Sequence, residues 1–243
     1  MKQYRAYLFD LYGTLVDIHT DETKPAFWQQ IAAYCTEHGA EYSPPELRAA
    51  YLRLCASETA VLQALYPDAL VEIDLLRVFR ALYTEKGVQP GDRLLADTAW
   101  RFREASTTHL RVYTGAVELL EALRAAGRRV ILLSNAQSCF TRRELRLLGL
   151  AACFDRVFIS SEEGFRKPDP HFFLAPLREL ELRPADCLMI GNDPSCDISG
   201  AAAIGMDGVY IRSALSPREA AAPESAVLTL PRMDLKALRR ELL

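Results

Sequence analysis

Polar residues that could bind a phosphate and a divalent cation follow four short apolar segments of the sequence. In chain order they are Asp10, Ser134 with Asn135, Lys167, and Asn192-Asp193 with Asp197. Mg²⁺ prefers oxygen ligands and is usually held by one or two carboxylates together with a phosphate. A hydroxyl and a lysine can bind the remaining phosphate oxygens. In such a site Asp10 would attack phosphorus and form an aspartyl-phosphate, which water then hydrolyses.

The segments that carry these residues alternate with helical patterns, which predicts an α/β fold. Buried strands are predicted from the apolar runs 4–9, 130–133, 157–160, 187–190, 209–211 and 227–230. The helical patterns between them end at glycines such as Gly127 and Gly149. Strands that alternate with helices form a parallel sheet, and ligands bind beyond the carboxyl ends of its strands. The four polar groups should therefore meet at one edge of the sheet.

Residues 17–107 carry helix signals and no strand signals. Helix starts are predicted at Thr23-Lys24-Pro25, at the capping box Ser43-Pro44-Pro45-Glu46, before Leu75 and near Asp92. This block of about four helices separates the first strand from the rest of the predicted sheet. We therefore expect a core of residues 1–16 and 108–243 and an all-helical inserted domain of residues 17–107.

The composition excludes several classes of protein. The formal net charge of -3 gives no basic surface for nucleic acid or for an anionic membrane. No apolar run approaches the roughly 20 residues that cross a bilayer, and the N-terminus lacks a signal-peptide pattern. The six cysteines are scattered without a Cys-x-x-Cys pair, so we expect free thiols rather than a zinc site or disulfides. We expect a cytoplasmic protein, either a monomer or a homodimer, that acts on a small molecule.

Four stretches, taken together, resemble the four motifs of the haloacid dehalogenase superfamily. They are Asp10-Leu-Tyr-Gly-Thr-Leu, Ser134-Asn135, Lys167-Pro-Asp-Pro and Gly191-Asn-Asp-Pro-Ser-Cys-Asp197. They occur in the order of that superfamily, each at the end of a predicted strand or in the loop after it. The resemblance implies a Rossmann-like parallel sheet with a mobile helical cap inserted after the first motif, at the position of residues 17–107.

The resemblance also implies roles for residues of the first and fourth motifs. Asp10 would be the nucleophile and a Mg²⁺ ligand, and Tyr12 would bind the metal through its backbone carbonyl only. Asp193 would be the principal second metal carboxylate, with Asp197 behind it. Asn192 interrupts the usual glycine-aspartate pair of the fourth motif, and we favour Asp193 over Asn192 as the direct ligand.

The second and third motifs would bind the phosphoryl group. Ser134 would contact the phosphoryl oxygens, with Asn135 beside it, and Lys167 would stabilise both the nucleophile and the phosphate. The resemblance thus implies a Mg²⁺-dependent phosphatase that acts on a small phosphorylated metabolite through an aspartyl-phosphate intermediate.

Tyr12 is the main departure from the phosphatases of this superfamily, which usually have a second aspartate two residues after the nucleophile. That aspartate protonates the leaving group, and proton transfer of this kind contributes roughly 10² to 10⁴-fold. Without this aspartate, the rate of hydrolysis should fall least for substrates whose leaving group departs without a proton. His19, Asp17 and Asp21 follow the motif closely and are candidates for a substitute acid. The sequence does not show whether the Tyr12 phenol points into the site or away from it.

Two other functions remain open. The haloacid dehalogenases of the superfamily resemble this chain at Tyr12, and their reaction expels a halide without needing a proton or a metal. Asp193 and Asp197 argue against that function, since a metal-free site should not contain them. The arginine that those enzymes carry early in the cap also has no evident match here, although Arg48 or Arg53 could replace it. The second alternative is a weakly active phosphoryl-binding protein.

Overall fold

Parallel strands form the centre of the molecule in the computed structural model, which describes residues 2–218 and 221–243. The strands are β1 (Ala6–Phe9), β2 (Val16–Thr20), β3 (Thr107–Val112), β4 (Arg129–Ser134), β5 (Arg156–Ile159), β6 (Cys187–Gly191), β7 (Asp207–Ile211) and β8 (Ala226–Leu230). Six of them form one sheet in the order β5-β4-β1-β6-β7-β8. Each neighbouring pair in this sheet is parallel, which confirms the predicted α/β fold.

The helices follow the predicted alternation. They are α1 (Pro25–Glu37), α2 (Pro44–Leu65), α3 (Leu75–Thr84), α4 (Asp92–Ser106), α5 (Ala116–Ala125), α6 (Ser138–Leu147), α7 (Ser160–Glu163), α8 (Pro170–Glu179), α9 (Gly200–Ala203) and α10 (Leu235–Leu242). A π-helical turn, Pro194–Ser199, leads directly into α9.

The central strand β1 is buried on both faces, because its sequence Ala-Tyr-Leu-Phe is apolar at every position. Tyr7 and Phe9 pack in one core cluster, and Ala6 and Leu8 pack in another on the opposite face. Continuous apolar runs of this kind are typical of parallel strands that are covered by helices on both sides. The burial fixes β1 between β4 and β6, so the residue that follows Phe9 emerges in the middle of the sheet edge.

A second, two-stranded sheet was not expected from the sequence. β2 and β3 pair antiparallel, with His19 opposite His109, so the prediction that residues 17–107 contain no strand is wrong at both ends of that range. These strands lack a long apolar run, and they find each other across more than eighty intervening residues, which leaves no local signal. The two strands connect the sheet-bearing part of the chain to the helices between them.

Helices α1 to α4 pack around their own apolar cluster, which includes Phe27, Trp28, Phe79 and Phe102. Phe102 stacks in turn on Phe140 of α6, with ring centroids 6.2 Å apart. The helical segment therefore has a core of its own and also rests against the helix that follows β4.

The connection between α2 and α3 attaches the helical segment to the core at a second point. Val71 and Phe165 form an antiparallel β-bridge. The backbone N–H of Arg166 donates to the Leu70 carbonyl at 3.0 Å, and that of Glu72 donates to the Gly164 carbonyl at 2.9 Å. This bridge holds the helical segment against the loop that carries Lys167.

Candidate active site

The ends of β1, β4 and β6 bring the predicted polar residues together at one edge of the sheet. Asp10 follows β1, Ser134 ends β4 and Asn192 follows β6. Asp10 Oδ1 lies 2.8 Å from Lys167 Nζ and 3.5 Å from Ser134 Oγ. The predicted meeting of these residues is therefore present in the structure, while their roles remain proposals.

The Lys167 ammonium lies between two carboxylates, and we call these three groups the charge arrangement of the site. The Lys167 side chain is 1% exposed, and its ammonium forms ion pairs with Asp10 Oδ1 at 2.8 Å and Asp197 Oδ1 at 2.7 Å. It also donates to the Leu133 carbonyl at 2.8 Å. Burial by itself lowers the pKa of Lys167, but the two carboxylates raise it above its ordinary value. Lys167 is therefore a permanent positive charge that neutralises part of the carboxylate charge around it.

Asn135 positions Lys167. The backbone N–H of Lys167 donates to Asn135 Oδ1 at 2.7 Å, and Asn135 Nδ2 donates to the Lys167 carbonyl at 3.0 Å. The amide thus joins the end of β4 to the loop before α8. Asn135 was predicted to lie beside a bound phosphate, and in the structure its hydrogen bonds fix the peptide that carries the ammonium.

Asp193 and Asp197 are both engaged by the turn that follows β6. Asp193 Oδ1 accepts hydrogen bonds from the backbone N–H groups of Ser195 and Cys196, each at 2.8 Å, and so caps the turn. Asp197 Oδ2 accepts from the Asp193 N–H at 2.9 Å. Burial raises the pKa of Asp197 to about 6, although Lys167 acts in the opposite direction. A Cβ atom at Gly191 would lie 2.1 Å from Asp197 Oδ2, so only glycine allows this approach.

Asn192, rather than Asp193, contacts the first motif. One terminal atom of the Asn192 amide lies 3.3 Å from Asp10 Oδ2, 3.1 Å from the Tyr12 carbonyl oxygen and 3.1 Å from Thr14 Oγ1. Gly13 makes room for it, since it has a φ of 87° and a Cβ there would lie 2.5 Å from Asn192 Nδ2. The Asp193 carboxylate instead caps its own turn, so Asn192 is the fourth-motif side chain next to Asp10, and the predicted metal role of Asp193 stays a prediction.

The amide of Asn192 can present either its nitrogen or its oxygen to these neighbours. As a nitrogen, the atom donates hydrogen bonds to Asp10, Tyr12 and Thr14. As an oxygen, it faces the oxygens of Asp10 and Tyr12, and a cation is then needed to hold the three together. The orientation with the nitrogen toward Asp10 suits a site without a metal, and the orientation with the oxygen toward Asp10 suits a site that binds a cation.

Mg²⁺ fits the second orientation. Octahedral Mg²⁺ with bonds of about 2.05 Å places adjacent ligand oxygens about 2.9 Å apart. The amide atom of Asn192 lies 3.1 Å from the Tyr12 carbonyl and 3.3 Å from Asp10 Oδ2, close to that spacing. No group of three or more His, Cys, Asp or Glu side chains able to hold a metal occurs within residues 2–218 and 221–243. The candidate ligand set is therefore one carboxylate, one amide and one backbone carbonyl.

The Tyr12 phenol points away from Asp10. It donates to Glu144 Oε2 and lies 2.9 Å from Thr141 Oγ1, both on α6. Arg103 of α4 holds the other side of the same carboxylate, with Nε donating to Glu144 Oε1 at 2.6 Å. Burial and the Glu144 carboxylate raise the pKa of Tyr12. The phenol thus joins the loop after β1 to α6, where Arg103 also attaches the helical segment, and it is not available to protonate a leaving group.

The three substitute acids suggested by the sequence are engaged elsewhere. Asp17 accepts hydrogen bonds from Arg111, at 2.6 Å from Nη2, and pairs with His109. Asp21 accepts from both the backbone and the hydroxyl of Thr23. His19 lies on β2, 2.9 Å from Thr108 Oγ1. All three belong to the connection between the core and the helical segment.

Two cavities that share lining residues open at this edge of the sheet, and the second of them is also lined by residues of the helical segment. The catalytic cavity, of about 180 Å³, is lined by Asp10, Tyr12, Asn135, Lys167, Asn192, Asp193, Cys196, Asp197 and Leu215. The second cavity, of about 320 Å³, shares Tyr12 and Asn135 with it and is also lined by Glu22 and Arg103. Because Glu22 and Arg103 lie outside any recognisable motif, sequence reasoning did not single them out.

Arg48 and Arg53, the candidates for an anion-binding arginine, do not line either cavity. Arg53 forms a surface ion pair with Glu85 at 2.7 Å. Arg48 lines a separate groove with Trp28 and Pro44. Arg103 is the arginine that the structure brings next to the site, and its guanidinium is already bound to Glu144.

Comparison with known proteins places this geometry in a family. Residues 4–205 match the profile of a family described as haloacid dehalogenase-like hydrolase. The phosphoserine phosphatase of Thermus thermophilus is 33% identical over 144 residues, which are 59% of this chain and 56% of that protein. The (S)-2-haloacid dehalogenase 1 of Pseudomonas sp. (strain CBS-3) is 29% identical over 242 residues, 97% of this chain and 99% of that protein. The chain thus spans about half the length of the phosphatase and nearly all of the dehalogenase.

The fold is also similar to that of a solved protein. A structure of an HAD phosphatase from Thermococcus onnurineus superposes with a TM-score of 0.62 at 22% identity, covering 98% of this chain and 97% of that one. Within residues 2–218 and 221–243, no helix has the length and apolar character needed to span a bilayer.

Proposed function

The chain belongs to the haloacid dehalogenase-like hydrolases, and within this family we propose that it is a Mg²⁺-dependent phosphatase of a small phosphorylated molecule, with Asp10 as the nucleophile. The proposal extends to the helical segment, residues 17–107, which would serve as the cap that closes over the substrate. The phosphatase relative supports this activity, but the match spans only 56% of that protein.

The charge of the catalytic cavity is the observation that carries the proposal. Three carboxylate side chains, those of Asp10, Asp193 and Asp197, line it together with the ammonium of Lys167. A phosphate monoester brings further negative charge, and like charges at close range raise its free energy of binding. A divalent cation beside Asp10 removes this repulsion. Its fit to the oxygens of Asp10, Tyr12 and Asn192 therefore favours a metal-assisted phosphatase.

The residues of the chain then act as follows. The Asp10 carboxylate attacks phosphorus from the sheet edge, and the leaving oxygen departs on the opposite side of phosphorus, toward the helical segment. Lys167 stabilises the charge that develops on the phosphoryl oxygens, and Ser134 can donate to one of them. Asn135 keeps Lys167 in place. Mg²⁺, when bound, supplies Lewis-acid stabilisation of the transferred phosphoryl group.

A metal-free dehalogenase is the second candidate, and two findings favour it. With its nitrogen turned toward Asp10, Asn192 satisfies the same oxygens without a cation. The (S)-2-haloacid dehalogenase of Pseudomonas sp. also covers 97% of this chain. In that reaction Asp10 would attack the carbon that carries the halogen and expel halide.

Hydrolysis assays separate the two candidates. A phosphatase hydrolyses an aryl phosphate and acetyl phosphate with Mg²⁺, loses this activity in EDTA, and loses it in the Asp10→Asn variant. Release of chloride from 2-chloropropionate in EDTA, with no phosphate release under any condition, would instead establish the dehalogenase.

Two matched variants test which residue of the fourth motif faces the metal. Asn192→Asp adds a negative charge beside Asp10 and should lower the Mg²⁺ concentration needed for half-maximal activity by about tenfold or more, because ligand charge sets metal affinity. Asp193→Asn should change that concentration far less, since this carboxylate caps its own turn. The opposite ranking would restore Asp193 as the ligand.

A further inference from the structure

The proposed phosphatase lacks a proton donor at the position where its family carries an aspartate. Tyr12 is bound to Glu144, and Asp17, Asp21 and His19 are engaged in the connection to the helical segment. The chemistry still requires a proton for any leaving group that is a poor anion, and without one the rate falls by roughly 10² to 10⁴-fold. A carboxyl group that faces the leaving side of the site would supply it.

Glu22 meets this requirement by position. It lies between β2 and α1 and lines the second cavity, which adjoins the catalytic cavity at Tyr12 and Asn135. Its backbone is fixed, since Trp28 Nε1 donates to the Glu22 carbonyl at 2.9 Å and the Asp21 N–H donates to Ser106 at 2.8 Å. The residue is thus held at the start of the helical segment, in the wall of the second cavity.

The side chain of Glu22 is free to act. Among the described residues, 2–218 and 221–243, none donates a hydrogen bond to its carboxylate or lies in an ion pair with it, whereas both oxygens of the neighbouring Glu144 are occupied by Tyr12 and Arg103. A carboxyl group that is partly buried and lacks a partner within the protein keeps its hydrogen-bonding capacity for a ligand.

The charged groups around Glu22 are compatible with a proton donor. Burial raises the pKa of Glu22, and Arg103 on α4 lowers it to a lesser extent. The Arg103 guanidinium is itself paired with Glu144 on α6, at 2.6 Å, which weakens its hold on Glu22. Tyr51 and Cys55 of α2 also interact with Glu22, and burial raises the pKa of both, so they remain uncharged. Glu22 is therefore protonated at a higher pH than an ordinary glutamate.

We propose that Glu22 is the catalytic acid and base of this enzyme, acting from the helical segment in place of the missing aspartate. As Asp10 attacks, the new Asp10–phosphorus bond forms and the bond from phosphorus to the leaving oxygen breaks. That oxygen keeps the electron pair and takes the proton of the Glu22 carboxyl. In the second step the Glu22 carboxylate takes a proton from water, whose oxygen bonds to phosphorus as the Asp10–phosphorus bond breaks. Glu22 is again protonated, and inorganic phosphate and the Asp10 carboxylate are released.

This inference rests on the proposed phosphatase activity, and one experiment distinguishes the two. The Glu22→Gln variant, the wild type and an Asp21→Asn control are assayed with Mg²⁺ on an alkyl phosphate such as glycerol phosphate and on acetyl phosphate. Acetyl phosphate releases acetate, a stable anion that needs no proton. The rate compared is that of leaving-group release in the first turnover, because loss of the base slows the later hydrolysis of the aspartyl-phosphate equally for both substrates. Glu22→Gln should lower this rate on the alkyl phosphate by at least about 10²-fold and on acetyl phosphate by less than about threefold.

The ratio of the two rates is the decisive quantity, because partial misfolding of a variant lowers both rates equally and leaves the ratio unchanged. Asp21→Asn should keep the wild-type ratio, since Asp21 only binds Thr23 and Lys24. An unchanged ratio in Glu22→Gln would overturn the role of Glu22 while leaving the phosphatase intact. Absence of turnover of both phosphates by the wild type would overturn the phosphatase itself, and the role of Glu22 with it.

Discussion

Replacing Lys167 by methionine tests how far this ammonium stabilises the buried carboxylates of Asp10 and Asp197. Lys167 and Asp197 are 1% and 2% exposed as side chains, and the ammonium lies 2.8 Å from Asp10 and 2.7 Å from Asp197. Lys167→Met keeps the volume of the side chain and removes its charge. Breaking a buried ion pair on one side costs about 3 to 5 kcal/mol, because the remaining charge is left without a partner. We expect a loss of that size in the free energy of unfolding at pH 8.

The loss of unfolding free energy in Lys167→Met should become smaller as the pH is lowered. Asp197 already has a pKa of about 6 with the ammonium in place, and without it this pKa rises further. The folded variant then binds a proton that the unfolded chain, with an aspartate pKa of about 3.9, does not bind. Stability therefore increases as the pH falls, by about 1.4 kcal/mol per pH unit for one proton. Between pH 8 and pH 6 the variant should recover up to about 2.7 kcal/mol relative to the wild type.

Urea unfolding of the wild type, Lys167→Met and a Lys236→Met control at pH 8 and pH 6 measures these differences. Lys236 is exposed on α10, so its replacement should change stability by less than about 0.5 kcal/mol. The double variant Lys167→Met/Asp197→Asn should recover more than half of the loss at pH 8. A loss in Lys167→Met that is independent of pH and is not relieved by Asp197→Asn would refute this account of the charge arrangement.

Two further predictions concern the first motif. Gly13→Ala places a Cβ 2.5 Å from Asn192 Nδ2 at a φ of 87°, whereas Gly127→Ala meets a similar φ of 72° with no atom within 4 Å. In urea unfolding both variants should lose roughly 1 to 2 kcal/mol of stability, the cost of an alanine in the left-handed region. Only Gly13→Ala should also need a higher Mg²⁺ concentration for activity. An equal Mg²⁺ requirement in the two variants would disprove the contact between Gly13 and Asn192. Tyr12→Phe removes a hydrogen bond to a buried carboxylate and should lower stability by about 1.5 to 3 kcal/mol. Its rate on acetyl phosphate should change less than about threefold, and a large rate loss with unchanged stability would instead make the phenol a catalytic group.

The sequence by itself determined the alternating order of elements and the residues that end the strands. The reason is local: short apolar runs bounded by turn residues, such as Ala6–Phe9, favour buried strands, and helix caps such as Asp169 with Pro170 are recognised from neighbouring residues. Once the sheet is parallel, its carboxyl edge brings together Asp10 and Ser134, whereas Lys167 lies in a loop that Asn135 holds against that edge. The family resemblance rested on the same short stretches, and the family is now established.

The tertiary structure decided the contacts between residues that are far apart in the chain. The pairing of β2 with β3, the Tyr12–Glu144–Arg103 arrangement and the choice of Asn192 over Asp193 as the neighbour of Asp10 depend on how separate elements pack. A side chain such as Glu22 has no local pattern that marks it, because its role arises only where the helical segment meets the edge of the sheet. Short-range patterns fix which elements form, whereas the partner of a buried polar group is fixed by the fold, since it is the fold that removes water from around it.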